Sequence, residues 1–204
     1  MSVRIDKVVT SGTFSLDGET HEVDNNTWIV GDDEECVVID AGHDPAKVES
    51  AVGGRRTVAV LCTHAHDDHV RQAPELGRLL DAPVLLHPAD VVVWKLTHDD
   101  APDGPIADRQ RIRVAGAELR VLHTPGHSPG SVCFYVPSEG VLFTGDTLFS
   151  GGPGATGRSF SDADLIKESI RTRLLSLPDE TVVHTGHGED TTIAAELEGS
   201  IGWE

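Results

Sequence analysis

Short apolar runs alternate with turn-forming segments along the chain, and this alternation predicts a protein that mixes strands and helices. The run TVAVLC at 57–62 is apolar almost throughout and has the length of a strand, so it predicts a strand buried on both faces. Helical spacing appears in DPAKVESAV, where Asp44 is placed to cap the first turn. The other strand-like or helix-like runs up to residue 96 are VRIDKVV, TWIV, CVVID, VRQAPELGRLLD, APVLLH and PADVVVWKL.

The second half of the chain again places strands first and a helix afterwards. A segment rich in Asp, Pro and Gly at 97–108 predicts a loop, and four glycines at 150–161 predict another. Apolar residues spaced three and four apart predict a helix over 162–177, capped by Ser161 or Asp162. The two similar blocks predict a layered α/β sandwich in a single domain, 1–204. The strand-like runs of this half are RIRVAG, AELRVLH, SVCFYV, GVLFTGD and TVVHTGHGED.

Composition narrows the class of protein. With 34 acidic and 16 basic residues the formal net charge is −18, which disfavours nucleic acid and anionic membranes as partners. Cys36, Cys62 and Cys133 each lie in an apolar run, as expected of free thiols in a reducing compartment. The sequence opens without an apolar signal segment, and no apolar run approaches the ~18–20 residues that span a bilayer. These features predict a cytoplasmic protein, either a monomer or a small homo-oligomer.

The segment LCTHAHDDHVRQ, residues 61–72, places three histidines and two aspartates within six positions. His64 and His66 lie two apart after the predicted strand, so in an extended chain both side chains point to one side. Asp68 and His69 follow where a turn into a helix brings them toward the same point. Imidazole and carboxylate are ligands of a borderline divalent ion such as zinc, so this segment predicts half of a metal site.

Three later segments share a pattern in which a strand ends at a Gly followed by a His or an Asp, namely His127, Asp146 and His187. A Gly before a ligand allows a sharp turn that exposes the next side chain. The combined ligands are too many for one tetrahedral ion and suit two ions sharing a carboxylate, which we assign to Asp146 because it has two oxygens. The predicted division is His64, His66 and His127 around one ion, and Asp68, His69 and His187 around the other.

The motifs THAHDDH, GH, TGD and GH, in this order, resemble those of the metallo-β-lactamase-fold hydrolases over nearly the whole chain. TPGHSPGSVCFYV and FTGDTLF are similar to the motifs of the glyoxalase II (hydroxyacylglutathione hydrolase) branch. The resemblance implies a four-layer αβ/βα sandwich, with two mixed β-sheets flanked by helices and a dinuclear metal site at one edge. Glyoxalase II enzymes also carry a C-terminal helical domain that helps bind glutathione. This sequence ends seventeen residues after His187, so the expectation is a form lacking that domain.

The ligands and the resemblance together predict a metal-dependent hydrolase that cleaves a small acyl-thiol such as hydroxyacylglutathione. A hydroxide bridging two zinc ions, or two iron or manganese ions, would attack the thioester, with Asp68 as the candidate proton acceptor. A thiol of pKa ~8.5 leaves without a dedicated general acid. Three alternatives stay open: a persulfide dioxygenase with one iron at His64, His127 and Asp146, a lactonase or β-lactamase, and a metal-binding module without turnover.

Other polar residues are assigned to supporting roles. Asp40, at the end of CVVID, is predicted either to orient a metal-bound histidine or to shape a turn. Arg158, in the Gly-rich segment, is the candidate for contact with an anionic group of the substrate, and Asp67 is predicted to cap a helix. Surface or capping positions are assigned to His21, His43, His87 and His98. Cys62 is assigned to core packing, His123 to packing or to contact with a ligand, and His184 to a structural role.

Overall fold

The structure is a computed structural model that describes residues 3–200, and its largest features are two six-stranded β-sheets. In the first sheet, β1 to β3 pair antiparallel and β3 to β6 pair parallel, so the sheet is mixed. The strands lie in chain order across it. They are β1 (Arg4–Leu16), β2 (Glu19–Gly31), β3 (Glu35–Ile39), β4 (Arg56–Leu61), β5 (Val84–Leu86) and β6 (Gly104–Pro105).

The second sheet has the order β14-β13-β10-β9-β8-β7 and is also mixed, because only β10 and β13 pair parallel. A separate two-stranded hairpin, formed by β11 and β12, lies within the Gly-rich part of the chain. These strands are β7 (Arg111–Val114), β8 (Ala117–His123), β9 (Val132–Val136), β10 (Val141–Gly145), β11 (Leu148–Phe149), β12 (Gly152–Pro153), β13 (Val182–Thr185) and β14 (Thr191–Thr192).

Short helices connect the strands. Asp44 caps α1 as predicted, since its side chain accepts a hydrogen bond from Lys47 N. Asp162 caps α5 in the same way, and α5 continues into a π-helical turn at Ile170–Leu174. A 3₁₀ turn at Pro88–Asp90 leads into α4. The helices are α1 (Pro45–Val52), α2 (Asp67–Val70), α3 (Ala73–Leu80), α4 (Val91–Trp94), α5 (Ala163–Ser169) and α6 (Ile193–Gly199).

The two sheets and the helices on their outer faces form four layers, and an apolar cluster fills each of the three spaces between them. Strand β3 contributes to two of these clusters, because Val37 and Ile39 face the second sheet while Cys36 and Val38 face the helices. The cluster between the sheets joins such residues to Phe134 and Phe143 of the second sheet. The outer clusters pack α1, α3 and α4 on one side, and α5 and α6 on the other. The expected four-layer sandwich of two mixed sheets flanked by helices is therefore confirmed.

The first hairpin is much longer than its apolar runs predict. Strands β1 and β2 pair along their whole length, from Arg4 opposite Gly31 to Leu16 opposite Glu19. Asp17 and Gly18 form the turn with φ values of 53° and 81°, the backbone of a type I′ hairpin. The dipeptide Asp-Gly is a recognised signal for such a turn, so this extension could have been found from the sequence. The sequence analysis does not predict helix α6, whose seven residues IAAELEG are too few to show a helical period.

Within residues 3–200, no helix is long and apolar enough to cross a membrane.

Candidate metal centre

The predicted ligands come from four connections that meet at one edge of the sandwich. Strand β4 leads into the loop of His64 and His66 and then into α2, which carries Asp68 and His69. Asp146 and His187 follow the parallel strands β10 and β13. His127 lies between β8 and β9. The carboxyl ends of neighbouring parallel strands lie at the same edge of a sheet, and the structure brings all of these side chains together.

Three histidines form the first ligand set. His66 Nδ1 lies 3.1 Å from His64 Nε2 and 3.0 Å from His127 Nε2, and all three side chains are buried. Their ligand atoms lie within 4.8 Å of one another, which allows a single ion to contact all of them. His64, His66 and His127 are the residues that the sequence assigns to one ion.

The second ligand set consists of Asp68, His69 and His187. The Nε2 atoms of the two imidazoles are 3.2 Å apart. Asp68 Oδ2 lies 3.2 Å from His187 Nε2 and 3.6 Å from His69 Nε2. These atoms also lie within 4.8 Å of one another.

Asp146 lies between the two sets. Its Oδ1 is 3.2 Å from His69 Nε2, and its Oδ2 is 3.4 Å from His187 Nε2 and 3.7 Å from His127 Nε2. One carboxylate thus contacts histidines of both groups, which is the placement that a shared ligand requires.

Hydrogen bonds fix the orientation of four of the five imidazoles. His127 Nδ1 donates to Ala155 O at 2.9 Å, and His187 Nδ1 donates to Asp24 O at 2.7 Å. His69 Nδ1 donates to Asp40 Oδ2 at 2.8 Å. Because Thr63 Oγ1 donates its only hydrogen to Asp40, it must accept from His64 Nδ1 at 3.0 Å. In each case the outward nitrogen holds a proton and Nε2 points into the cluster, as is usual for metal-binding histidines.

Charge differs between the two ligand sets. In the first set, burial lowers the pKa of His64 and lowers that of His66 to about 3, which favours the uncharged form of these two imidazoles. In the second set, burial opposes protonation of His187, but Asp146 and Asp68 raise its pKa to about 10. Burial likewise raises the pKa of Asp68, while His69 and the hydrogen bond with His187 outweigh it and give a value of about 2. Without an ion, imidazolium protons therefore balance the carboxylates.

The residues fit divalent metal ions. Nitrogen atoms of His64, His66 and His127 converge on one point, where a single cation could accept a lone pair from each. The donor set contains imidazole and carboxylate without thiolate, which suits zinc, iron or manganese.

Asp40 braces the cluster from behind. Its Oδ1 accepts from Thr63 N and its Oδ2 accepts from Thr63 Oγ1 and His69 Nδ1, each at 2.8 Å. Its φ of 62° also turns the chain after β3, so Asp40 both contacts the imidazole of His69 and shapes a turn.

Asp90 connects the two loops that carry the first ligand set and was not identified from the sequence. Its Oδ2 accepts from Ala65 N at 2.7 Å, between His64 and His66, and from Ser128 Oγ at 2.8 Å. Its Oδ1 accepts from Gly130 N at 2.5 Å. The carboxylate is fully buried, and a Cβ at Gly130 would lie 2.5 Å from Asp90 N, so only glycine allows this close approach.

Gly186, the residue before His187, has no room for a side chain. A Cβ there would lie 2.3 Å from Asp146 Oδ1 and 2.8 Å from His69 Cε1. The sequence predicts a glycine here for its freedom to turn. The structure instead shows that the missing side chain lets β13 approach the ligands.

A cavity of about 220 Å³ opens beside the cluster. The long hairpin contributes Phe14, His21 and Val23 to one wall, and Phe14 packs against His66 with ring centroids 5.3 Å apart. The opposite wall comes from the segment after β12, with Ala155, Arg158, Ser159 and Ser161. The floor consists of the ligand residues His66, Asp68, His127, Asp146 and His187.

Arg158 is held at the mouth of this cavity. Its guanidinium lies over the Phe14 ring at 5.0 Å, and Nη2 is 3.1 Å from His21 Nε2 and 3.4 Å from Glu19 Oε2. Nη1 is buried and has no hydrogen-bond partner in the part of the chain that the structure describes. Arg158 is also the only Lys or Arg among the residues that line the cavity.

Two predictions for neighbouring residues are wrong. Asp67 does not cap α2, because His66 occupies the cap position and the Asp67 carboxylate instead accepts from Ser15 N and pairs with Arg71. His43 is buried against Gly12 rather than at the surface. The packing, capping or surface assignments agree with the contacts of His21, Cys62, His87, His98, His123 and His184.

Comparison with known proteins identifies the class. The Metallo-beta-lactamase superfamily matches residues 22–187, and the chain belongs to this superfamily. With the His/Asp cluster at the sheet edge, the fold is that of a metal-dependent hydrolase.

Individual relatives agree with this class. The chain is 33% identical to the probable metallo-hydrolase YqgX of Bacillus subtilis, over 84% of this chain and 88% of that protein. It is 34% identical to hydroxyacylglutathione hydrolase of Salmonella dublin over 80% of its length, but it spans only 62% of that enzyme.

Solved structures give the same picture. TTHA1623 in a di-iron-bound form superposes with a TM-score of 0.76 and 38% identity, over 87% of this chain and 94% of that one. The BLEG-1 B3 metallo-beta-lactamase gives 0.78 and 29% identity, over 93% and 97%.

Proposed function

We propose that this protein is a dinuclear-metal thioesterase that hydrolyses a small acyl-thiol, as glyoxalase II enzymes do. The observation that carries the proposal is the pair of ligand sets with Asp146 between them, opening on one cavity. Relatedness to hydroxyacylglutathione hydrolase supports the thioester as the bond that is cleaved.

His64, His66 and His127 would hold one ion, Asp68, His69 and His187 the other, and Asp146 would contact both. When bound, two such ions would supply a hydroxide nucleophile at neutral pH and would polarise the substrate carbonyl. Asp68 is the candidate proton acceptor, because its carboxylate lies among the second ligand set and on the floor of the cavity. Asp40 keeps the Nδ1 proton of His69 in place and so maintains Nε2 as the ligand atom.

The volume of the cavity favours a substrate that is small or only partly enclosed. Its volume of about 220 Å³ is below the ~300–1,000 Å³ of pockets that enclose drug-sized ligands. A thiolate leaving group needs no general acid, which agrees with a floor made of ligand residues. We assign Arg158 to an anionic group of the substrate, because among the described residues it is the only Lys or Arg that lines the cavity.

The identity of the ions is part of the proposal. Zinc suits the imidazole and carboxylate donors, and iron suits them equally, as in the di-iron form of TTHA1623. Elemental analysis of the purified protein tests this point, with two equivalents of zinc, iron or manganese per chain as the expected result.

Activity is tested on a panel of an acyl-glutathione, a second acyl-thiol, a lactone and a glutathione persulfide. We expect thioester hydrolysis, lost together with bound metal in Asp146→Ala. Asp103→Ala is the control, because Asp103 accepts a hydrogen bond from Val84 N and is absent from the ligand sets among residues 3–200. Turnover by metal-free Asp146→Ala would contradict the proposal.

The panel also separates the alternatives. One bound iron with oxygen consumption on the persulfide and no thioester hydrolysis would indicate a persulfide dioxygenase. Preferred hydrolysis of the lactone would indicate a lactonase, and two bound ions without turnover of any compound would indicate a binding module.

A further inference from the structure

Asn25 in β2 contacts the second ligand set, although neither its sequence context nor its residue type marks it as a ligand. Its Nδ2 lies 3.0 Å from Asp68 Oδ2, 3.3 Å from His69 Nε2 and 3.4 Å from His187 Nε2. The side chain is buried at 2% exposure. One atom of the carboxamide therefore reaches every member of the set.

These contacts have the shape of a coordination site. The distances among Asp68 Oδ2, His69 Nε2 and His187 Nε2 are 3.2, 3.2 and 3.6 Å, and those to Asn25 are 3.0–3.4 Å. The four atoms thus form a nearly regular tetrahedron. The centre of a tetrahedron with such edges lies about 2.0 Å from each corner, which is the length of bonds from zinc to nitrogen and oxygen.

The nitrogen and the oxygen of the carboxamide differ in whether they can bind a cation. Nδ2 is a donor and cannot ligate a cation, whereas Oδ1 is an acceptor of nearly the same shape and size. Oδ1 is buried and has no hydrogen-bond partner among residues 3–200. A half-turn of the carboxamide would place this oxygen at the fourth corner.

We propose that Asn25 belongs to the second metal site and supplies its carbonyl oxygen as an additional ligand. Without an ion, Nδ2 donates to Asp68 Oδ2, and with an ion the oxygen takes its place. The inference rests on the dinuclear site of the proposed function. Amide oxygens are accepted by hard and borderline divalent ions, and the neutral group adds no charge beside Asp68 and Asp146.

The test compares metal affinities, measured by competition with a chromophoric chelator, in the wild type and in Asn25→Leu and Asn25→Asp. Leucine has a similar volume but no ligand atom, so we expect the second ion to bind about 10–100-fold more weakly and the first ion within threefold of wild type. Aspartate retains an oxygen at the corner and is expected to bind the second ion at least as tightly as wild type. Cobalt(II) absorption of the second site should change in Asn25→Leu.

Thr10→Val is the matched control. Thr10 lies directly opposite Asn25 in β1 and is buried, but it is absent from the ligand sets. The unfolding temperature of the metal-free variants shows that each one folds.

Several outcomes would overturn the proposal. Equal affinities in wild type and Asn25→Leu would remove Asn25 from the site. An Asn25→Asp variant as weak as Asn25→Leu would show that the donor to Asp68 matters and the oxygen does not. Weakening by Thr10→Val to the same extent would indicate packing alone. Uptake of a single ion by the wild type would refute the dinuclear site itself, whereas two ions with unchanged affinity in Asn25→Leu would refute only the role of Asn25.

Discussion

Asp90 offers a test of how the first ligand set is held in place, and the substitution is Asp90→Asn. The carboxylate accepts three hydrogen bonds, two at Oδ2 and one at Oδ1, from both loops that carry His64, His66 and His127. Asparagine keeps the shape but has one acceptor atom, so an NH₂ group must face either Ala65 N or Gly130 N.

The magnitude follows from the bonds that are lost. A hydrogen bond to a charged group contributes about 1.5–3 kcal/mol, and the buried N–H left behind adds a penalty. Burial raises the pKa of Asp90 despite the hydrogen bonds from Ser128 and Gly130, so removing the charge recovers part of the loss. We expect the free energy of unfolding of the metal-free protein to fall by about 2–3 kcal/mol, and the first ion to bind about 10–100-fold more weakly.

Urea unfolding with a chelator present gives the stability, and competitive metal titration gives the affinity. Asp103→Asn is the control, because in the described part of the chain that carboxylate accepts one backbone N–H, from Val84 at 2.8 Å. If Asp90→Asn stays within about 0.5 kcal/mol of Asp103→Asn and binds metal as wild type does, the bracing role assigned to Asp90 is wrong.

Three further predictions concern the cavity, the space around the ligands and pH. Arg158→Gln should lower the preference for a carboxylate-bearing thioester over its amide by about 10–100-fold in kcat/KM, while Arg78→Gln, an exposed control, leaves the ratio unchanged. Gly186→Ala should displace Asp146 and lower metal uptake measured by elemental analysis; full occupancy would contradict the contact distances. The pKa of His187 is about 10 in the metal-free fold and ~6.5 unfolded, so its proton stabilises the fold below pH 6.5 and this stabilisation is lost as pH rises toward 10. The stability difference between wild type and His187→Gln in chelator should therefore shrink over that range, and a constant difference would refute the assignment.

The sequence predicts those parts of the fold and the site that depend on the burial pattern of one element or on contacts between residues close in the chain. The strand β4 is apolar because both of its faces are buried, and Asp44 and Asp162 cap helices through their own neighbours. The predicted ligands follow strand ends, and the strand order alone brings such ends together.

The remaining features depend on tertiary contacts that leave no periodic signal. Asn25 and Asp90 act through hydrogen bonds to residues 25–162 positions away, and one asparagine or aspartate among many polar residues carries no pattern. The outer half of the first hairpin is polar because it faces solvent and the cavity rather than a core. The sequence predicts a cap at Asp67, but the chain enters α2 one residue earlier and His66 takes the cap position.

The ligand sets also combine distant parts of the chain. His66 and His127 are 61 residues apart and His69 and His187 are 118 apart, with one member of each pair beside each sheet. An ion bound by both members closes a large loop, as a disulfide would, and cross-links of this span cost the unfolded chain about 4–5 kcal/mol of entropy. Metal ions at this edge would therefore fasten the two sheets to each other. We expect removal of the ions by a chelator to weaken the contact between the two sheets at this edge, without unfolding either sheet.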